Sequence, residues 1–296
     1  LVDVLNVLNP HAFPGNIAFA TNLGISFSGA GAFVTPLIVM ILIRRAGFVP
    51  AVLLLAGLSL VPALLTLGVE FPQPEQSPEQ EGSLWTLLAS LAMWLCALIF
   101  FFYSPLEAGV GAWTTTYLEE QGVRETLAAG TLSGYWLAAM AAQLLTAFLL
   151  PAGSESVLLC LLALGSVLVL VGIVTCRNQN LAPMLIVLAG LLFGPIMPTN
   201  MAVLLENVDE AFHGRAIGVL FAIGGIGWTT IPVLIGIRAR KVGIQRSFLV
   251  AVAAAVEDCS SVDCSASRVI LPPPGRISNG WEGISNGCVR VGMRRE

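Results

Sequence analysis

The chain of 296 residues is 56% hydrophobic and only 11% charged, with a mean hydropathy of +0.85, whereas a soluble domain carries about 25% charged residues. That balance excludes an ordinary water-soluble enzyme or binding module. The net charge of −4 describes the loops and carries no argument about a nucleic-acid partner, and none is expected.

A hydrocarbon core about 30 Å thick is crossed by roughly 20 apolar residues in a helix. From the first residue the sequence predicts the end of one helix at Leu1 to Leu8, then helices at 17–43, 48–69, 84–118, 126–150, 156–176, 181–204 and 212–237. The fold class is therefore all-α, a polytopic transmembrane helical bundle. The helix at 84–118 is too long for a simple crossing and contains Pro105, so a kink or break is expected there. Phe71 to Ser83 is polar, acidic and proline-bearing, which predicts a linker outside the membrane. After Arg246 an apolar run begins at Ser247 but meets Glu257 and Asp258 too soon to span. The residues beyond are rich in Ser, Gly, Cys and Arg, and Ile-Ser-Asn-Gly occurs at both 277 and 284. That tail predicts neither a helix nor a domain and reads as an altered reading frame. A start at Leu with no basic region before the first apolar run reads as truncated.

An internal repeat organises the spans. Gly29-x-Gly31 with Pro36, Arg44, Arg45 and Gly47 recurs 196 residues later as Gly225-x-Gly227 with Pro232, Arg240, Lys241 and Gly243. Five spans lie between the two copies, so the repeating unit holds six helices. Parallel duplication of six helices is the architecture of the two halves of major facilitator transporters.

On the residues themselves, Leu1-Val-Asp3-Val-Leu-Asn6 resembles the end of helix four of such a transporter, and Asn22 to Pro36 resembles helix five. Glu107-Ala-Gly-Val-Gly-Ala-Trp113-Thr-Thr-Thr-Tyr117 resembles helix seven, and Gly194-Pro195-Ile-Met-Pro198-Thr199 helix ten. The chain is thus similar to the major facilitator superfamily, in particular its fucose-permease-like sugar transporter branch, over about Leu1 to Val256. Where relatives tend to carry Gly-Arg at the end of helix eight, this chain has Ala142 and Gln143. The resemblance implies a truncated bundle: residues 1–70 as the remnant of an N-terminal half, 71–83 as the inter-bundle linker, 84–256 as the C-terminal half, and 257–296 as an aberrant polar tail. It also implies a multi-pass protein of the cell inner membrane.

Glu107 is the most informative single residue, because an ionisable group at membrane depth is costly and kept for a reason. At 100° per residue Tyr103, Glu107, Gly111 and Thr114 share one helix face, and Trp113 and Tyr117 form the adjoining one. Pro105 frees the carbonyl of Phe101, which can accept from a substrate hydroxyl. One reading makes Glu107 a substrate-binding and proton-coupling group. The other places it near the membrane surface, with Glu119 and Glu120 three turns on. Trp113, Tyr117, Asn22 and Asn200 complete the expected substrate site, the two asparagines because the resemblance puts their helices beside the central cavity. Tyr135 and Trp136 read as interfacial belt residues, Gln143 and Thr199 as bridges between helices, and His11 and His213 as solvated loop residues.

The glycine pairs lie inside apolar helices with no preceding strand, so they read as packing sites rather than a nucleotide loop. Cys96, Cys160 and Cys176 lie in or at the ends of apolar spans and read as small hydrophobes, and Cys259, Cys264 and Cys288 have neither the spacing nor the histidines of a zinc site; no cofactor, metal site or catalytic residue is expected. Basic residues fall on one side at Arg44, Arg45, Arg124, Arg177, Arg238, Arg240, Lys241 and Arg246, against Arg215 on the other. The positive-inside rule would make that side cytoplasmic. The resemblance makes the linker side cytoplasmic instead, and that orientation is adopted. The function expected is secondary transport of a small hydroxylated solute, a hexose-sized sugar, by alternating access in the lipid bilayer, with protons as coupling ion if Glu107 titrates. An efflux transporter of drugs or other organic solutes on the same fold, and a membrane sensor that binds without flux, are the alternatives.

Overall fold

A computed structural model describes residues 16–66, 84–151, 153–209 and 212–269. The helix end at 1–8, His11, the linker at 71–83 and the tail beyond 269 lie outside the described residues. The described chain is a bundle of helices: α1 (Ile17–Ala46), α2 (Phe48–Thr66), α3 (Leu84–Leu88), α4 (Leu91–Glu120), α5 (Glu125–Leu149), α6 (Glu155–Thr175), α7 (Leu181–Phe193), α8 (Ile196–Glu206), α9 (His213–Val242), α10 (Ile244–Ser247) and α11 (Leu249–Val269). Counting α7 and α8 as one span, six of these are long and apolar enough to cross a membrane. Large apolar side chains such as Leu149, Leu161 and Met184 stand exposed on the outside, as a bilayer solvent allows.

Three elements depart from expectation. The long helix expected at 84–118 is resolved by a break at its start, not at its proline: Ser90 accepts from the backbone N–H of Met93 and starts α4, which then runs unbroken through Pro105. The expected span at 181–204 is instead two helices meeting at Gly194 and Pro195. The run after Arg246 does not end at Glu257. It continues as α11 to Val269, against the expectation of an unstructured tail from 257. Small residues make this possible, since Ala251, Ala254, Ala255, Asp258 and Val262 form a buried stripe that lets α11 pack against α4 and α6.

The duplicated motif corresponds to a duplicated helix. Both α1 and α9 have 30 residues and end at a glycine of positive φ, Gly47 at 87° and Gly243 at 81°. Each of these glycines donates its N–H one turn back, to Ile43 and Ala239 respectively, at 3.0 Å. Both helices start and end 196 residues apart. Their neighbours differ: α1 packs along α5, and α9 along α4.

Close seams hold the bundle, as they must where lipid removes the hydrophobic drive between helices. A Cβ added to Gly190 or Gly194 would strike the carbonyls of Tyr135 and Ala139 on α5, and one added to Gly227 would strike the carbonyl of Phe101 on α4. This last contact changes the expectation for Phe101. The carbonyl that Pro105 deprives of its helical donor faces the backbone of α9 rather than a solute. Ser104 ties the same seam by donating to the Gly224 carbonyl at 2.7 Å. Gly225, two residues from Gly227, has nothing within 4 Å of an added Cβ. Unfolding of the protein in detergent micelles should therefore show Gly227→Ala less stable by about 1–3 kcal/mol, and Gly225→Ala within about 0.5 kcal/mol of the parent.

Candidate functional site

Where α1, α4, α5 and α9 meet the α7–α8 break, the bundle forms a half-open cavity of about 410 Å³. Volumes of this order hold small molecules. From α4 it is lined by Phe100, Tyr103, Ser104 and Glu107, from α5 by Trp136, Ala139 and Gln143, and from the break by Gly194 and Met197. The two long repeat helices supply the flanks. Ile25, Ser28, Gly29 and Ala32 of α1 face the cavity, and so do Phe221, Gly224, Gly225 and Trp228 of α9. Each α9 residue stands 196 positions after its α1 counterpart, so the duplicated helices present equivalent faces to one space. The α1 face is mostly small and the α9 face aromatic.

The polar geometry follows from the break. Pro198 has no N–H to give the Gly194 carbonyl; Gln143 donates to that carbonyl at 3.0 Å through Nε2. The preceding carbonyl, of Phe193, receives the Tyr103 hydroxyl at 2.9 Å, and the same hydroxyl lies 3.0 Å from Glu107 Oε2. Two side chains from different helices are thus anchored on consecutive carbonyls of one helix end. Gln143 Oε1 is buried with no hydrogen-bond partner among the described residues. Glu107 lines the cavity with no Lys, Arg or His among the lining residues, leaving its carboxyl group to bind a proton, a cation or a hydroxyl donor.

Of the residues expected at the site, Glu107 alone is in the cavity wall. Trp113 lies against α9, donating to the Pro232 carbonyl at 3.1 Å and borders a separate shallow hollow with Gly236 and Arg240. Tyr117 is fully buried and donates to the Ile173 carbonyl of α6 at 3.0 Å. Asn22 donates to the Ala18 carbonyl and reaches Thr199 at 3.4 Å, beside the bond from Thr21 to the Pro198 carbonyl. Asn200 donates to the Cys96 carbonyl at 2.9 Å. These four hold helices together around the cavity. Trp136 and Tyr135 are not belt residues: Trp136 lines the cavity and Tyr135 is buried, its ring edge-on to Trp136 at 5.0 Å. Gln143 is a bridge, as expected, and a wall residue as well. His213 is buried rather than solvated, and joins α9 to the end of α8 through the carbonyls of Leu205 and Val208. Trp228, Phe221 and Met197 were not singled out from sequence. The 196-residue offset applied to the α1 face could have found the first two.

Known proteins share this architecture. A family model described as Major Facilitator Superfamily matches residues 4–232. The chain is 26% identical over 181 residues to "Bypass of stop codon protein 6" of Saccharomyces cerevisiae, a match covering 57% of this chain and 36% of that protein; the chain spans little more than a third of that relative. It is similar in structure to a Major Facilitator Superfamily transporter, FucP, solved in the outward conformation, with a TM-score of 0.66, 17% identity, and coverage of 88% of this chain and 70% of that one. That likeness shows the fold.

The division of roles is testable by substitution. Tyr117→Phe removes one interhelical bond and should lower stability by about 0.6 kcal/mol without altering solute affinity. Trp228→Ala should weaken solute binding, followed by quenching of the remaining tryptophan fluorescence, by about tenfold, the effect of losing one stacking ring worth roughly 1 kcal/mol plus its buried area.

Proposed function

The chain belongs to the major facilitator superfamily, and from that membership we propose that it is a secondary transporter carrying a small hydroxylated solute, a hexose-sized sugar, across the membrane by alternating access. The cavity around Glu107 is the solute site in this reading, and Glu107 is also the proton-coupling group. The observation that carries it is the combination around one cavity of a carboxyl group, the unpartnered amide oxygen of Gln143 and the indoles of Trp136 and Trp228. A pyranose offers a flat C–H face to an indole ring and an edge of hydroxyls to carboxylate and amide oxygens. The small α1 face leaves room for the ring, and the aromatic α9 face gives it a surface to stack on. Trp113, Tyr117, Asn22 and Asn200, expected as ligands of the solute, act in this reading as the frame that holds the walls.

A second reading is favoured by one feature. The wall is largely apolar and its one acidic group has no cationic neighbour among the lining residues, which also suits a lipophilic organic cation held by aromatic faces and a carboxylate. That is the efflux alternative. Counterflow in proteoliposomes separates the two: exchange of labelled hexose without exchange of a labelled lipophilic cation supports the sugar reading, and the reverse overturns it. Binding of either with no exchange makes the protein a sensor. Glu107→Gln, which mimics a carboxyl group that never releases its proton, should reduce accumulation driven by a pH gradient to the level of empty liposomes while counterflow at equal pH persists. Unchanged pH-driven accumulation removes Glu107 from coupling.

A further inference from the structure

The hydroxyl of Tyr103 has one hydrogen and faces two acceptors. It lies 3.0 Å from Glu107 Oε2 and 2.9 Å from the carbonyl of Phe193. A phenol can donate to only one of them at a time, and a backbone carbonyl never donates. Both contacts are satisfied together only when Glu107 carries a proton: its O–H then donates to the Tyr103 oxygen, and Tyr103 donates to Phe193. An ionised Glu107 is acceptor-only and makes a stronger, charge-assisted bond with the Tyr103 hydrogen. The carbonyl of Phe193, a fully buried residue, then loses the Tyr103 hydroxyl as a donor.

Phe193 is the last residue of α7, immediately before the Gly194–Pro195 break. We propose that Tyr103 is a positioning residue that ties the α7–α8 break to the protonation state of Glu107, pinning the break to α4 when the proton is bound and releasing it when the proton leaves. Tyr103 keeps its own hydrogen throughout; the proton gained or lost is that of the Glu107 carboxyl group, exchanged with the cavity. The neighbouring tie from Gln143 to Gly194 involves no titrating group, so it stays in both states and serves as the fixed point about which the break moves. The inference rests on the proposed role of Glu107 in proton coupling.

Among the described residues, the other ionisable side chains that act on the pair are Tyr135 on α5, on both members, and Asp258 on α11, on Tyr103. Neither the Tyr135 hydroxyl nor the Asp258 carboxyl group has a hydrogen-bond partner among the described residues. The lining residues of α1, α8 and α9 add no charge. Asp258 is therefore the group to test as a rival source of pH dependence.

Amide hydrogen exchange of the segment 190–200, followed across pH and corrected for intrinsic rates, reads the break directly. In the unaltered protein exchange should step up about fivefold as pH rises, the effect of one lost hydrogen bond. Tyr103→Phe should hold the segment at the fast level at every pH. Glu107→Gln should hold it at the slow level, because the Gln amide donates to Tyr103 as the acid does. Asp258→Asn should leave the step in place. A step that survives in Tyr103→Phe or in Glu107→Gln, that disappears in Asp258→Asn, or that is absent from the unaltered protein overturns the proposal. If the step behaves as described while Glu107→Gln keeps pH-driven accumulation, the coupling reading fails and the linkage of Glu107 to the break stands. If accumulation is lost in Glu107→Gln while the step survives in Tyr103→Phe, the reverse holds.

Discussion

A proline inside a membrane helix leaves one carbonyl without its N–H, and hydrocarbon offers no water to replace it. Two such carbonyls lie in close seams of this bundle, one covered and one given a side-chain donor. The carbonyl freed by Pro105, at Phe101, is covered by Gly227, which brings α9 into backbone contact with α4. The carbonyl freed by Pro198, at Gly194, is met by Gln143, which brings α5 to the end of α7. The Phe193 carbonyl beside it takes Tyr103 and so draws in the face of α4 that bears Glu107. The cavity is the space left between helices placed by these contacts, which explains why its few polar groups gather at one helix break.

The duplication gives that space its flanks. A segment of 30 residues ending in a basic pair and a positive-φ glycine occurs twice, and the same four positions of each copy face the cavity. Divergence has acted on side-chain size: Ile, Ser, Gly and Ala on α1 against Phe, Gly, Gly and Trp on α9. It has also acted on packing. A Cβ added to Gly29 of the first copy would come within 3.0 Å of the Met140 Cβ while Gly31 is open, whereas in the second copy Gly225 is open and Gly227 is the close contact. The repeat thus preserves the path of the helix and its termination more strictly than which glycine touches a neighbour.

Much of this could be read in the sequence, because the bilayer imposes length and hydropathy on every span. The i, i+4 pairing of Tyr103 with Glu107 and the presence of a membrane bundle follow from local periodicity, and the repeat helices from a motif matched at a fixed offset of 196 residues. What escaped is non-local. Trp113 and Tyr117 look like ligands for a sugar, yet each polar tip is taken by a carbonyl on another helix, 119 and 56 residues away in sequence. Asn200 is likewise bound to the Cys96 carbonyl. Trp136 was given to the membrane interface because nothing in its own helix tells an inward indole from an outward one. The helix beyond 257 is not legible because Glu257, Asp258 and the serines that follow look polar, whereas α11 turns Asp258, Ser261 and Val262 inward.

The position of the solute is the central claim, and photoaffinity labelling tests it most directly. A hexose carrying a diazirine, activated on the purified protein in lipid, should attach to peptides containing Glu107, Trp136 or Trp228, with labelling suppressed by excess unmodified sugar. Suppressible labelling confined instead to the hollow bordered by Trp113, Pro232 and Gly236 would contradict the account.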